Sequence, residues 1–298
     1  MTAPRLGTVL TAMVTPFDAN GAIDLDVAAD LARFLVSQGS DGLVLAGSTG
    51  EGTSLSDREK LDLFACVAES VSVPVLAGST CADTARSVAL TAQVAATRVA
   101  GVLATTPAYA RPSQAGIVAH LGAVAESTPL PVMLYDIPSR TGRKILPATT
   151  VELVDRFANV VALKDASGDL ASAAHVKAVL GNRLDLYSGD DALLLSFMAI
   201  GAAGIVSVAA HWAGPEFAAL VRSVQAGDWE RAREFNELLR ASCQFESSDA
   251  APNPIPAKAA MRELGFDVGE CRLPLGPCDD ETMTSASDVI ATLRASRG

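Results

Sequence analysis

The chain has 298 residues, of which 49% are hydrophobic and 19% are charged, a composition typical of a globular protein with a substantial buried core. Its net charge of −11 argues against nucleic acid as a partner, because no basic patch is available to contact phosphates. No apolar run reaches the ~18–20 residues that a membrane span needs, which argues against a membrane protein.

Short apolar runs alternate with amphipathic stretches along the first three quarters of the chain. Apolar runs bounded by turn residues are typical of buried strands, and apolar residues spaced three and four apart are typical of helices. The runs predict eight strands, at Thr8–Val14, Gly42–Ala46, Val73–Ala77, Val102–Thr106, Val132–Tyr135, Val160–Lys164, Leu184–Ser188 and Ile205–Ala209. The stretches that follow them predict helices near 25–38, 57–71, 83–97, 114–127, 148–157, 170–180, 191–200 and 215–226.

These eight β–α units predict the fold class. Ser56–Glu59 has the sequence of a capping box, and Pro147 and Pro215 suit the first turn of a helix. Eight successive units of similar length predict an α/β protein with a (β/α)8 TIM barrel over residues 1–226. A doubly wound open sheet is the alternative, although such a sheet would usually contain fewer strands.

The pattern changes after residue 226. Three further helices are predicted, at Trp229–Phe245, Pro256–Leu264 and Asp279–Arg297, with no strand between them. No low-complexity linker precedes them. We therefore expect residues 227–298 to form a helical extension that packs on the barrel and is not an independent domain.

Lys164 is the most informative residue of the predicted barrel. Of the five lysines in the chain, it alone ends a predicted strand, and barrel enzymes place their active site at that end of the strands. A buried ammonium group is costly unless it is paired, and desolvation turns a lysine into a nucleophile toward carbonyl groups. An ion pair with Asp165 is the structural alternative.

Other residues with useful chemistry follow neighbouring strands. They are Ser48 and Thr49 in a glycine-rich turn, Tyr109, Tyr135 and Arg140. Hydroxyl and backbone N–H groups can hold a carboxylate, phenols can transfer protons, and an arginine can bind a second carboxylate in bidentate geometry. Together with an imine-forming lysine, this set suits the formation or cleavage of a carbon–carbon bond in an α-keto acid without a metal.

Each of these residues also has a purely structural interpretation. The glycine-rich turn can be a tight loop, Tyr135 can pack at the rim, and Arg140 can form a surface ion pair. Asp190 and Asp191 are predicted to cap a helix rather than to bind a metal, because no third ligand is evident.

The five cysteines are widely spaced and form no C-x-x-C motif, so we expect reduced thiols and no zinc site. The first residues lack the apolar core of a signal peptide, and we expect a cytoplasmic protein.

Four motifs resemble those of the dihydrodipicolinate synthase/N-acetylneuraminate lyase family of class I aldolases. They are Gly47–Glu51, Tyr135–Gly142, Leu163–Gly168 and Ser188–Asp191. The resemblance runs from about Gly7 to Pro274 and implies a barrel, no cofactor and pyruvate held as a Schiff base. Pro138–Gly142, Tyr109–Gln114 and Asn253–Lys258 are most similar to the synthase branch, which condenses pyruvate with L-aspartate 4-semialdehyde toward diaminopimelate and lysine.

The resemblance also implies catalytic roles for individual residues. Lys164 would form the imine with pyruvate, and Tyr135 would be the central acid and base. Ser48 and Tyr109 would complete a proton relay, with Tyr109 crossing from a neighbouring subunit of a homotetramer built from tight dimers.

The substrate-binding residues follow from the same resemblance. Thr49 and the carbonyl of Val206 would position the pyruvyl group, and Gly189 would belong to the substrate site. Arg140 would bind the carboxylate of the aldehyde. The implied partners are these small-molecule substrates, with no nucleic acid, no membrane and no metal.

Three departures from the synthase pattern bear on substrate and regulation. Ser48 replaces a threonine and is shared with sialic acid lyases, Ala108 replaces a tyrosine, and Thr80–Ala82 replaces a turn that usually contains glycine. An aldolase or dehydratase acting on a sugar acid is therefore an alternative function. A catalytically silent barrel that serves as a binding or scaffold protein is an alternative from another class.

The departures also predict the loss of a regulatory site. Many relatives are inhibited by lysine through a histidine, an asparagine, a glutamate and a tyrosine. The matching positions here are Asp57 or Lys60, Ala82, Arg86 and Ala108. Arg86 would repel the ammonium groups of a bound lysine, and Ala82 and Ala108 offer it no hydrogen bond or stacking face, so we expect insensitivity to it.

Overall fold

Eight parallel strands pair in chain order, and the first also pairs with the eighth, which closes a barrel. This is seen in a computed structural model, which describes residues 6–297. The strands are β1 (Val9–Ala12), β2 (Gly42–Leu45), β3 (Val75–Gly78), β4 (Gly101–Thr105), β5 (Val132–Asp136), β6 (Val160–Asp165), β7 (Asp185–Ser188) and β8 (Gly204–Ser207). The predicted barrel is confirmed, and the open sheet is excluded.

Twelve α-helices lie within the described residues. They are α1 (Leu25–Ser37), α2 (Asp57–Ser70), α3 (Thr84–Val94), α4 (Gln114–Glu126), α5 (Pro138–Thr141), α6 (Pro147–Arg156), α7 (Leu170–Leu180), α8 (Leu194–Ala199), α9 (Ala210–Gln225), α10 (Trp229–Phe245), α11 (Ile255–Glu263) and α12 (Asp280–Arg297). None of them is both long and apolar enough to cross a bilayer.

Local sequence signals explain where several helices begin. Both hydrogen bonds of the capping box at Ser56 are present. In one of them the Glu59 backbone N–H donates to the serine hydroxyl. Pro147 is the first residue of α6, where its missing N–H costs nothing. Helix α9 begins five residues before its predicted start, and Pro215 lies just after a kink at Ala213, so it opens the second segment of that helix.

The core has two layers, one inside the barrel and one between the strands and the surrounding helices. Nearly every strand residue is buried, as expected for a parallel sheet covered on both faces. The register places Tyr135 of β5, Lys164 of β6 and Tyr187 of β7 side by side. The sheet therefore sets Tyr135 and Lys164 at one level of the barrel.

The last three helices have nearly the predicted bounds. Helix α10 packs against α9, and α11 packs against α12. The Trp212 indole N–H of α9 donates to the Ser242 hydroxyl of α10 over 3.1 Å. The division of the chain at residue 226 stays a prediction.

A buried ion pair joins the turn after β2 to α11. Lys258 Nζ lies 2.9 Å from Glu51 Oε1, and both side chains are excluded from solvent. The other carboxylate oxygen of Glu51 accepts the backbone N–H of Arg272 at 2.8 Å. The Lys258 ammonium also lies 4.1 Å from the centre of the Phe17 ring and donates to the Glu270 carbonyl. Each charge thus has several partners, as a buried ion needs.

We predict that Lys258→Met lowers the free energy of unfolding by about 3–5 kcal/mol, because Glu51 would become a buried charge without its cation. Chemical denaturation at neutral pH measures this change. Arg156→Ala is the matched control, because it breaks an ion pair with Glu152 in which both side chains are half exposed and should cost less than about 1 kcal/mol. Equal losses in the two variants would contradict the interpretation of the Glu51–Lys258 pair.

Candidate active site

A cavity of about 250 Å³ opens at the carboxyl ends of the strands. Its wall combines hydroxyl groups, one guanidinium, one ammonium and two carboxyl groups with a few apolar side chains. The lining residues are Ser48, Thr49, Tyr135, Ile137, Ser139, Arg140, Lys164, Ala166, Gly189, Asp190, Val208, Glu246, Ser247 and Asn253. This is the end of the barrel where the sequence predicted the site.

Lys164 lines this cavity with its ammonium group against an aromatic ring. Its Nζ atom is 4.3 Å from the centre of the Tyr135 ring, and the residue is 5% exposed. Within residues 6–297 it forms no salt bridge. The adjacent Asp165 points to the other face of the strand and accepts the Ser167 N–H, so the alternative Lys164–Asp165 ion pair does not form.

The turn after β2 presents Ser48 and Thr49 to the cavity. The turn is tight, because a side chain at Gly52 would lie 1.9 Å from the Ala46 carbonyl oxygen. Thr49 is almost fully buried, and its Oγ1 atom accepts a hydrogen bond from Asn253 Nδ2 at 3.0 Å. The C-terminal part of the chain therefore fixes one of the predicted pyruvate-binding residues.

Arg140 reaches the cavity from α5, which follows β5. Its Nη2 atom donates to the Asn253 carbonyl oxygen at 3.1 Å. A single hydrogen bond of this kind leaves other N–H groups of the guanidinium available to a ligand. Asn253 thus contacts both Thr49 and Arg140.

The acidic residues of the wall are Asp190 and Glu246, and Asp191 follows Asp190 in the chain. Asp191 is buried, and its Oδ2 atom accepts hydrogen bonds from Ser207 Oγ and from the N–H groups of Val208 and Ala209, at 2.6–3.1 Å. Burial and the charge of Asp191 raise the pKa of Asp190. Asp190 accepts the Ala192 N–H at 3.0 Å, which confirms the predicted helix cap. Within the described residues, no group of three or more His, Cys, Asp or Glu side chains is arranged to hold a metal ion.

Six of the eight predicted site residues line this cavity: Ser48, Thr49, Tyr135, Arg140, Lys164 and Gly189. The other two do not. Tyr109 is 98% exposed and has a positive φ of 67°, a conformation unusual for a tyrosine. Val206 is buried inside the barrel, and Val208 of the same chain segment lines the cavity instead.

A second cavity of about 450 Å³ lies beside the first, and Ser48 lines both. Its wall includes Lys60, Ala82, Arg86 and Ala108, the positions at which we expected a lysine site to be lost. Arg86 forms an ion pair with Asp57 at 2.9 Å. Lys60 is 4% exposed, and burial lowers its pKa.

Asn253 and Glu246 are among the polar lining residues that the sequence analysis did not assign to the site. Asn253 was part of a motif, but its contact with Thr49 spans 204 positions and leaves no local signal. Glu246 follows α10 in a segment with no periodic pattern. Its position in the cavity depends on how α10 packs on the barrel.

Known proteins match both the sequence and this geometry. The model of the Dihydrodipicolinate synthetase family matches residues 5–293. The 4-hydroxy-tetrahydrodipicolinate synthase of Synechococcus sp. (strain CC9605) is 46% identical over 291 residues, which cover 97% of this chain and 95% of that protein.

Two crystal structures of dihydrodipicolinate synthases superimpose closely. The one from Bacillus anthracis has a TM-score of 0.92 and 40% identity, and the one from Cyanidioschyzon merolae, with lysine bound, has a TM-score of 0.93 and 38% identity. Each comparison covers 96% of this chain and 98% of the other. The family match over nearly the whole length, together with this identity and this barrel, shows that the chain belongs to the dihydrodipicolinate synthetase family.

Proposed function

We propose that this chain condenses pyruvate with L-aspartate 4-semialdehyde to form 4-hydroxy-tetrahydrodipicolinate. The observation that carries the proposal is the shared cavity of Lys164, Tyr135 and Arg140. It combines an amine that can form an imine, a phenol that can transfer protons, and a guanidinium that can bind the carboxylate of a second substrate. The names of relatives with 44–46% identity support the same reaction.

The reaction begins at Lys164. Its amine attacks the keto carbon of pyruvate, and loss of water gives an imine that acts as an electron sink. Removal of a methyl proton then gives an enamine, whose carbon attacks the aldehyde carbon of the second substrate. The amino group of that substrate finally attacks the imine carbon, which closes the ring and releases Lys164.

Each of these steps moves a proton. We assign this role to Tyr135, and its ring contact with the Lys164 ammonium in the shared cavity supports the assignment. We assign Ser48 and Tyr109 to a relay with Tyr135, and Thr49 and the Val206 carbonyl to positioning of the pyruvyl group. Gly189 leaves room beside Lys164, because a side chain there would lie 3.0 Å from the Lys164 Cε atom.

The relay requires Tyr109 to come from a second subunit. In a single chain Tyr109 is almost fully exposed and lies outside the cavity, and Leu273 is 81% exposed. An exposed tyrosine held in a strained conformation is better explained by insertion into a partner than by its own chain. We propose a homotetramer built from tight dimers.

The proposed setting is the cytoplasm. All five cysteines are free in the structure, which agrees with a compartment that keeps thiols reduced.

The first test of the proposal is covalent trapping. We predict that borohydride treatment with pyruvate adds mass to one peptide, the one that contains Lys164, because reduction makes the imine permanent. Mass spectrometry of a digest identifies the peptide, and Lys164→Ala should abolish the label. Lys258→Ala is unsuitable as a control because it breaks a buried ion pair, whereas Lys177→Ala leaves this cavity intact and should keep the label. Absence of any adduct would favour a catalytically silent barrel.

The second test concerns the aldehyde. We predict that Arg140→Ala raises the KM for aspartate semialdehyde about 10–100-fold and changes the KM for pyruvate much less, because one charge-assisted carboxylate contact is lost. Steady-state rates with each substrate varied in turn provide the measurement. An equal rise in both constants would contradict a role for Arg140 in aldehyde binding, and turnover of sugar acids by the wild type would favour the alternative aldolase.

We also predict that free lysine does not inhibit this enzyme. A bound lysine would bring two ammonium groups into a cavity that already contains the Lys60 ammonium and the Arg86 guanidinium. Of these two cations, only Arg86 forms a salt bridge with a carboxylate in the described residues, and its partner is Asp57. Initial rates over a range of lysine concentrations test this, and half-inhibition below about 1 mM, equivalent to roughly 4 kcal/mol of binding, would show that a lysine site survives.

A further inference from the structure

Asp136 is a buried carboxylic acid that has no role in the proposed mechanism. It is the last residue of β5, directly after Tyr135, and it is 2% exposed. Because side chains alternate along a strand, Asp136 points away from the barrel interior that Tyr135 faces. It therefore lies on the side of the sheet that the surrounding helices cover, outside the active-site cavity.

One hydrogen bond joins Asp136 to the far end of the segment that carries Arg140. The Asp136 Oδ1 atom accepts the backbone N–H of Ile145 at 3.0 Å, and this contact is buried. Between these two residues lies α5, from which Arg140 reaches the cavity. The bond thus closes the segment at its base.

Gln114 of α4 holds the same segment from the other side. Its Nε2 atom donates to the Lys144 carbonyl oxygen at 2.9 Å, and its Oε1 atom accepts the Leu146 N–H at 3.1 Å. These bonds do not depend on pH, because an amide does not ionise in this range. The bond to Asp136 can change, because its acceptor is a carboxyl group.

The surroundings of Asp136 oppose its ionisation. Asp165 is its register partner on β6, and Asp169 directly precedes α7. Burial raises the pKa of Asp136 to about 7, and these two carboxylates add to the rise. The Ile145 N–H and the Lys144 ammonium act in the opposite direction, but Lys144 also donates to Asp169 at 2.7 Å.

The protonation of Asp136 is coupled to closure of the segment. In the closed segment the carboxyl is buried and titrates near pH 7, whereas opening admits water and returns its pKa toward the ordinary value of 3.8. Between these two values opening releases a proton, so each rise of one pH unit favours the open form by up to about tenfold. Above about pH 7 both forms are ionised, and the effect levels off.

We propose that Asp136 is a positioning residue for Arg140 and that its neutral form holds residues 137–145 closed more firmly than its ionised form. This inference rests on the proposed function and extends it, because Arg140 is the group assigned to the aldehyde. Rising pH then loosens the aldehyde site, whereas Lys164 and Tyr135 are held by strand pairing and keep their places.

Hydrogen exchange provides the first test, because it detects opening without any substrate. The variant is Asp136→Asn, which keeps an acceptor oxygen for the Ile145 N–H and cannot ionise. Mass spectrometry follows deuterium uptake in peptides that cover Ile145, with wild type and variant compared at the same pH. We expect the ratio of wild-type to variant exchange rates to rise between about pH 5 and pH 7, by up to about tenfold per unit, and then to level off.

Steady-state kinetics provides the second test. Asp136→Leu removes the acceptor and keeps most of the volume. It should raise the KM for aspartate semialdehyde roughly 3–10-fold, as for the loss of one hydrogen bond, and change the KM for pyruvate much less. At a pH below 7, where the wild-type carboxyl is neutral, Asp136→Asn should keep the wild-type KM for the aldehyde.

Two controls accompany these experiments. Asp288→Asn makes the same replacement at an exposed position of α12 and should change neither the exchange rates nor the kinetics. Borohydride trapping of pyruvate by Asp136→Leu at the wild-type level shows that the fold and the Lys164 amine are intact. The exchange test uses the variant that retains the hydrogen bond, so it does not depend on whether Asp136→Leu folds.

The possible outcomes are distinct. A ratio of exchange rates that rises with pH, with a loss mainly for the aldehyde, supports the proposal. A ratio that stays constant with pH overturns it, and so do equal rises in both KM values or a loss in Asp136→Asn as large as in Asp136→Leu. A wild type that traps pyruvate but does not turn over aspartate semialdehyde refutes the proposed function, whereas the exchange test still decides whether Asp136 holds the segment closed.

Discussion

The buried ion pair between Glu51 and Lys258 is the interaction on which the active site depends most. Glu51 has a positive φ of 52°, which is unfavourable for a residue with a side chain, and the turn that it ends carries Ser48 and Thr49. The ion pair and the Arg272 N–H hold the carboxylate in place and so maintain this conformation. Burying two charges is expensive, and the cost is offset by many partners, including the Phe17 ring, which contacts both Lys258 and Arg272.

The two parts of the chain contribute differently to the site. The barrel strands place Lys164 and Tyr135 by backbone hydrogen bonds alone, because β5 and β6 are paired at these two residues. Thr49 and Arg140 lie in irregular segments, where backbone pairing does not fix a side chain. Asn253 contacts both, through its side chain and its carbonyl oxygen, so one residue positions two groups expected to bind different substrates.

The sequence predicted the barrel and most of the site because the relevant signals are local. The apolar run Val160–Lys164 ends in a lysine, so a strand predicted there carries that lysine at its C-terminal end. The capping box at Ser56 defines the start of a helix from four residues. Helix α5 was missed because four residues are too few to show a period. Pro215 was predicted to open a helix, and the segment before it proved helical as well, because a kink at Ala213 accommodates the proline.

The rest of the site could not be predicted because it depends on tertiary contacts. Tyr109 was assigned to the site because it follows β4 and because of the resemblance, yet in a single chain its side chain is exposed to solvent. Glu246 and the side chain of Asn253 gave no local signal, since their positions follow from how α10 and α11 pack against the rest of the molecule.

The hydrogen bond between Asn253 and Thr49 has a consequence for synthesis on the ribosome. Its two residues are 204 positions apart, so all eight strands leave the ribosome before Asn253 does. A nascent barrel can therefore present Lys164 while the β2 turn still lacks both Asn253 and Lys258. Lys164 is therefore synthesised before the C-terminal groups that organise the cavity around it. The complete cavity can therefore form only after the last quarter of the chain has been synthesised.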